Sequence, residues 1–374
     1  MIWVVISNNA MKKLILLLIV SGFMFNAQSQ YLAAFNDNVR HFWAFEAGMF
    51  NKLEHLEIQE YQVGGTLIAY LDNGSNLKVY SRGEVETLLT GSPIKFHATD
   101  YLLGYSMYEQ LNVYDNGDVR VLSTQCDGYV VRDSIIGWHN RIAQNVQVYY
   151  DGQVFTIEDG LIYNPMESFK LGDNTLAYVQ SSTKEFKLFY QGEVIVLDQF
   201  GQDMIFEAGR DIVAYIDLQD PTFKAFFKGE EYEVETFQPK SFQVGDEILG
   251  YVDNLGRLKF FDGYEVVELS SYEPEFYTVE DKVIVYEEQG FLKTYCNGQI
   301  YVIERYIPEP HRIDFSTIAY LDQSRFVKAF LPNCEPVTVS FEPVKEISLI
   351  RDLIIYVVGV NKTKIFFNGQ VYEH

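Results

Sequence analysis

The chain has 374 residues, 48% hydrophobic and 16% aromatic, with 29 basic residues against 52 acidic ones and a formal charge of −23. Such a field repels phosphates and disfavours nucleic acid as a partner. Three cysteines (Cys126, Cys296, Cys334) are too few for a disulfide framework, and six histidines without HxH or HExxH spacing offer no readable metal site, so no cofactor is implied.

Met1 to Ala10 is an unusual leader, and Met11 then opens a secretory pattern. Lys12 and Lys13 precede an apolar run from Leu14 to Phe25, followed by the small-x-small sequence Ala27, Gln28, Ser29. Met11 is the expected initiator and residues 1–30 the expected leader and signal peptide. The apolar run is too short for a comfortable membrane span. The expectation is an exported protein without a membrane span, in the periplasm or on the outer surface of a Gram-negative bacterium.

From Tyr31 to His374 one pattern recurs. Its clearest copy runs from Val244 to Leu269: an apolar run (Ile248 to Val252), a polar turn, a second run (Leu258 to Phe261), Asp262-Gly263, and a third run (Tyr264 to Leu269). An Asp-Gly pair between apolar runs is a strong hairpin signal. The aromatic of the first run recurs as Phe35, Tyr70, Tyr105, Trp138, Tyr178, Tyr215, Tyr251, Tyr286, Tyr320 and Tyr356, ten copies with a period of about 36 residues. The longest interval, between Trp138 and Tyr178, reads as a surface loop around Glu158 to Glu167.

Other columns agree with this alignment. A hairpin glycine follows each anchor, from Gly48 to Gly369, with Asn333 in the ninth copy, where Asn is the usual substitute for a left-handed glycine. Three residues before the hairpin position stands an aromatic, such as Tyr80, Phe260 or Phe366, and before most anchors stands Ala or Gly. A further aromatic nine residues ahead of the anchor, as at Tyr61 and Phe242, marks a fourth strand. The anchor runs are apolar at consecutive positions, so they are buried on both sides, and no helical periodicity supplies covering helices. The covering layers must therefore be other sheets.

This arrangement resembles the β-propeller proteins over essentially all of residues 31–374, at the level of architecture and without a specific family motif. The resemblance implies an all-β chain of about ten short four-stranded blades in one ring with a wide channel, two five-bladed rings being the alternative. The first copy lacks the preceding short strand, which leaves 39 strands, and copies one and ten should sit side by side. Cys296 and Cys334 fall at corresponding points of neighbouring repeats, which allows one bridge.

Candidate sites come from columns and from their exceptions. Two residues after the anchor stand Asp37, Asp72, Asn140, Asp217, Asp253, Glu288 and Asp322, and radial repetition puts them on one face. That face is expected to dock a basic protein surface or divalent cations. Lys78, Lys187, Lys224, Lys293, Lys328 and Lys364 form another column, expected to lay their stems on aromatic rings and pair with the chain's acids. Asp100, Asp133, Asp173, Asp246 and Asp281 recur five residues before the anchor, which makes the match of Asp133, Ser134 and Ile135 to a glycosylation signal incidental. His41, Trp43, Trp138, His139, Arg141 and His311 break the pattern toward reactive chemistry but belong to different copies. No acid/base constellation appears, so a non-catalytic binding platform in a cell-envelope assembly is favoured over a polysaccharide hydrolase or lyase and over a lectin.

Overall fold

In the computed structural model each repeat folds as an antiparallel meander in which consecutive strands pair, and the sheets number ten. The structure describes residues 31–159, 169–180, 182–199, 204–217, 221–360 and 362–374. The signal-like segment and most of the long loop before Phe169 lie outside the described residues. There are 39 described strands, numbered here by blade in chain order. Blade 1 has three (Leu32–Asn36, Phe42–Glu46, Met49–Glu54) and each other blade has four. Blade 7, for example, is Ser241–Val244, Leu249–Val252, Leu258–Phe261 and Val266–Ser270. Among the described residues no helix is long and apolar enough to cross a membrane.

The ring is single and closed. Ten apolar clusters each join two neighbouring blades, and one of them packs Ala33, Phe35 and Phe45 of blade 1 on Leu353, Ile365 and Phe367 of blade 10. The side-by-side termini expected from the repeat count are thus found, with the rings of Trp43 and His374 4.3 Å apart. Leu249 to Val252 are buried without interruption because a blade is covered on both sides. The small residue before the anchor answers the same crowding. A Cβ on Gly250 would lie 2.6 Å from Val279 and 2.8 Å from Ile284 of blade 8.

The hairpins are built as their chemistry requires, with positive φ at both Asn368 (49°) and Gly369 (75°) in blade 10. Blade 9 departs from expectation. Its left-handed residue is Cys334 (φ 63°), not Asn333, whose side-chain oxygen instead accepts the Glu335 N–H at 3.3 Å. Cys334 is bonded to Cys296 of blade 8, and Cys126 is a free thiol.

Strand order also sorts the loops. With strand 1 nearest the axis and strands alternating in direction, turns 2–3 and the connections between blades emerge on one face, here face A. Turns 1–2 and the 3–4 hairpins emerge on the other, face B.

Candidate functional site

On face A the column that follows each anchor folds inward. One oxygen of Asp253 accepts the backbone N–H groups of Leu255 and Arg257, both at 2.9 Å, and Asp37, Asp72 and Asp322 make the same two bonds to the residues two and four ahead. Asn140 caps its turn through Ile142 and Ala143. These are side-chain-closed turns, the conformation short polar residues favour. Burial opposes ionisation of Asp72, but hydrogen bonds from Asn76 and Lys78 outweigh it and hold its pKa to about 2. Asp253 is only 2% exposed.

The lysine column completes the arrangement. Lys78 reaches Glu54 of the preceding blade at 2.6 Å and Asp72 of its own turn at 3.0 Å, while the Tyr70 hydroxyl donates to the same Glu54. Lys259 with Glu235 and Asp253, and Lys328 with Glu304 and Asp322, repeat this clasp, with Tyr251 and Tyr320 as the hydroxyl donors. Glu288 pairs with Lys293 within blade 8. Anchor tyrosine, lysine and turn aspartate are therefore parts of one interblade clasp. Its glutamate, sixteen residues before the anchor, is the member that no column had marked.

Among its polar tips face A also exposes large apolar side chains. Val39, Tyr108, Ile142, Leu255 and Val360 sit at the tips of the 2–3 turns, and Leu56, Phe237, Tyr272 and Phe341 lie in the connections between blades. All nine are 61% to 89% exposed. On face B only Met49 and Tyr264 reach that range among the described residues. Exposed apolar groups mark an interaction surface where they form a contiguous patch, and all nine of these lie on the same face.

The pattern-breaking residues lie at three separate places. His41 and Trp43 both contact Asp37 beside the blade 1–blade 10 seam. Trp138 is a fully buried anchor, and next to it His139 meets Asp127 at 3.2 Å, with Arg141 bound to Glu109 and near Asp127. His311 stacks on Phe276. They do not converge on one centre.

The residues that do converge are at the axis on face B. Asp100, Asp133, Asp173, Asp246, Asp281 and Asp314, with Phe315 and Arg351, line a cavity of about 110 Å³ where the 1–2 turns of successive blades meet, so the expected wide channel is narrow at this end. Three of the carboxylates accept the neighbouring blade's backbone N–H: Asp133 from Asp100, Asp281 from Phe315, Asp314 from Arg351. Arg210 of blade 6 stands in the aspartate column and reaches Asp133 (2.5 Å), Asp246 (3.0 Å) and Asp173 (3.4 Å). Arg351 of blade 10 crosses to Asp100 of blade 3, passing over Gly65, where a Cβ would lie 2.1 Å from its Nη1. Asp173, Asp246 and Asp281 bring one oxygen each within 4.8 Å of one another, a spacing that suits a cation, and Arg210 supplies one to two of them.

Six carboxylates against two guanidiniums leave an excess of negative charge in a desolvated place. Burial, then the charge of Asp133 and a hydrogen bond with Asp246, push Asp173 up to about 8. Burial and Asp246 push Asp281 to about 7, and burial and Asp100 push Asp133 to about 6. A carboxyl whose folded pKa is raised stabilises the fold at low pH and loses that contribution as pH rises through the folded value. The melting temperature should therefore fall as the pH rises from 5 to 8.5. Calorimetry across that range checks it. Asp173→Asn should flatten the slope, and an unchanged slope in that variant would remove the axis as its source.

A family model described as "10-bladed beta propeller domain" matches residues 26–372. No curated protein matches significantly. Among solved structures, the computationally designed Ika8 protein aligns over 90% of this chain and 99% of its own at 10% identity, with a TM-score of 0.37. Prp20p from Saccharomyces cerevisiae aligns over 55% and 72% at 9% identity, TM-score 0.31. The CRINKLY WD40 ectodomain of the Arabidopsis thaliana receptor kinase ACR4 aligns over 62% and 88% at 8% identity, TM-score 0.29.

Proposed function

The chain belongs to the ten-bladed β-propeller domain family, and from that premise we propose that it is an exported, non-catalytic platform whose face A docks a protein partner in a bacterial cell-envelope assembly. The observation that carries this reading is the set of nine exposed apolar side chains on face A, against two of similar exposure on face B, among the described residues. Loops on a rigid scaffold are where binding residues gather. Apolar anchors inside a polar rim are the usual anatomy of a protein interface. The acidic excess of the whole chain favours a partner with basic residues around that contact, drawn in at rates that fall with salt. Export to the periplasm or the outer surface of a Gram-negative cell is supported by the secretory pattern that opens at Met11.

Leu255→Asp, Phe341→Asp and Val360→Asp combined should abolish recovery of the partner from envelope fractions while leaving the melting temperature within a few degrees, because these side chains are exposed. Met49→Asp with Tyr264→Asp, on face B, is the matched control. Retention of the partner by the face A variant, or its loss from the control, would place the docking surface elsewhere.

A further inference from the structure

A recess lies inside the ring, apart from face A. The innermost strands of blade 3 (Ile94–Ala98) and blade 4 (Cys126–Val131) form part of the channel wall, and between them is a recess of about 390 Å³. Lys95, His97 and Arg132 border it, beside the Tyr129 ring and Val130. In a chain with nearly twice as many acids as bases, most lysines and arginines would be expected to find a carboxylate, as those of the interblade clasps do. No ion pair involves Lys95 or Arg132 among the described residues. The Arg132 Nε–H donates to the Leu171 carbonyl at 3.2 Å, and the residue also lines the recess.

The repeat shows that His97 is not there to hold the wall together. It pairs across its sheet with Gly104 as Gln62 pairs with Ala69 and Gln243 with Gly250, so the three are equivalent. Both glutamines staple the next blade. Gln62 bonds the Phe96 carbonyl (3.3 Å) and the Ala98 N–H (2.9 Å), and Gln243 does the same at Tyr277 (3.1 Å) and Val279 (2.9 Å). The His97 imidazole makes no such bond to blade 4. There the Tyr129 hydroxyl provides the link instead, donating to the Lys95 carbonyl at 3.3 Å. The stapling position in blade 3 thus holds a titratable ring facing a guanidinium.

We propose that this recess binds a small molecule bearing a carboxylate or phosphate, with the oxyanion held by Lys95, His97 and Arg132 and the organic body against Tyr129 and Val130. Two cations and an imidazole N–H around a concave wall suit an oxyanion, since guanidinium and ammonium both bond it with charge assistance. The volume exceeds what a bare phosphate fills and falls in the range of small-ligand pockets. Burial and the Arg132 charge both depress the His97 pKa, so a bound anion should reverse part of that effect. The neighbouring walls contribute Gln62, which is neutral and engaged, and Lys170, which pairs with Glu207 at 3.4 Å.

The test follows the His97 ring by NMR in the full chain while inorganic phosphate, phenylphosphate and benzoate are added separately, with phenol as the uncharged control. The expected result is an upward move of the His97 midpoint by at least half a pH unit with phenylphosphate or benzoate, less with phosphate, and none with phenol. Lys95→Gln and Arg132→Gln should each weaken phenylphosphate binding about tenfold, the scale of one lost charge-assisted bond. Lys345→Gln, a lysine of blade 10, should not. The Lys95 variant guards against misfolding, since that ammonium has no ion-pair partner to lose among the described residues. An unmoved His97 midpoint with all three anions overturns the proposal, as does equal weakening by Lys345→Gln, which would reveal general charge attraction. A response to phosphate alone would overturn the organic part. None of these outcomes depends on the partner docked at face A.

Discussion

Arg210→Gln is expected to cost the ring about 3–5 kcal/mol, the usual penalty for removing one partner from a buried charge network. The guanidinium lies within ion-pairing distance of three carboxylates from blades 4, 5 and 7, and the most buried of them, Asp246, has only 6% of its side chain exposed. Glutamine retains some hydrogen bonding but no charge, so Asp133, Asp173 and Asp246 would face one another with Asp281 close by. They can escape only by taking up protons. The loss should therefore be larger at pH 8.5 than at pH 5.5, where the raised carboxyls are already protonated in part. Chemical denaturation at the two pH values reads this directly. An equal loss at both would mean that Arg210 acts through packing alone.

How far the sequence could be read depended on whether a residue repeats and whether its partners lie in the same copy. The anchor tyrosines and hairpin glycines were legible because each is a local demand of strand burial or turn geometry, met again every 36 residues or so. The Cys296–Cys334 bridge was legible as an option because neighbouring blades place equivalent residues side by side. The clasp was half legible. Lys259 and Asp253 stood in their columns, but Glu235 belongs to the preceding blade, and only the stacking of blades brings it to both Lys259 and Tyr251.

The axis was visible as a column of aspartates and illegible as a site. Nothing in one repeat says that turns 1–2 of eight blades converge, and the residues that give the cluster its chemistry, Arg210 and Arg351, are among those that break the column. Lys95, His97 and Arg132 had no signal of any kind, because they come from two strands and recur nowhere. The turns that follow the anchors do share one face, face A. Its carboxylates, however, serve the turns and the lysines, while the tips of five of these turns expose an apolar side chain.

Tyr251→Ala should destabilise the fold by about 3–5 kcal/mol, the range for deleting a large ring from a packed core. The ring is fully buried and packs across the blade boundary on Phe223 of blade 6, centroids 5.3 Å apart, within a cluster that also holds Ile212, Ala214 and Phe227. Its hydroxyl donates to Glu235 at 2.9 Å, so the variant also removes one arm of the clasp, although Lys259 keeps that carboxylate paired. The cavity would open between blades 6 and 7, because the apolar cluster shared by blades 7 and 8 does not include this ring. Stability in a stacked repeat is a sum of units and nearest-neighbour interfaces. Weakening one interface should therefore raise hydrogen exchange first in the strands Ile212–Asp217 and Leu249–Val252, with blades 2 and 3 across the ring protected as before. Tyr251→Phe separates the two contributions: it keeps the ring and loses only the hydroxyl bond, at a cost of about 1 kcal/mol. Exchange that rose equally in every blade of the alanine variant would show that closure of the ring, not the single interface, sets local stability.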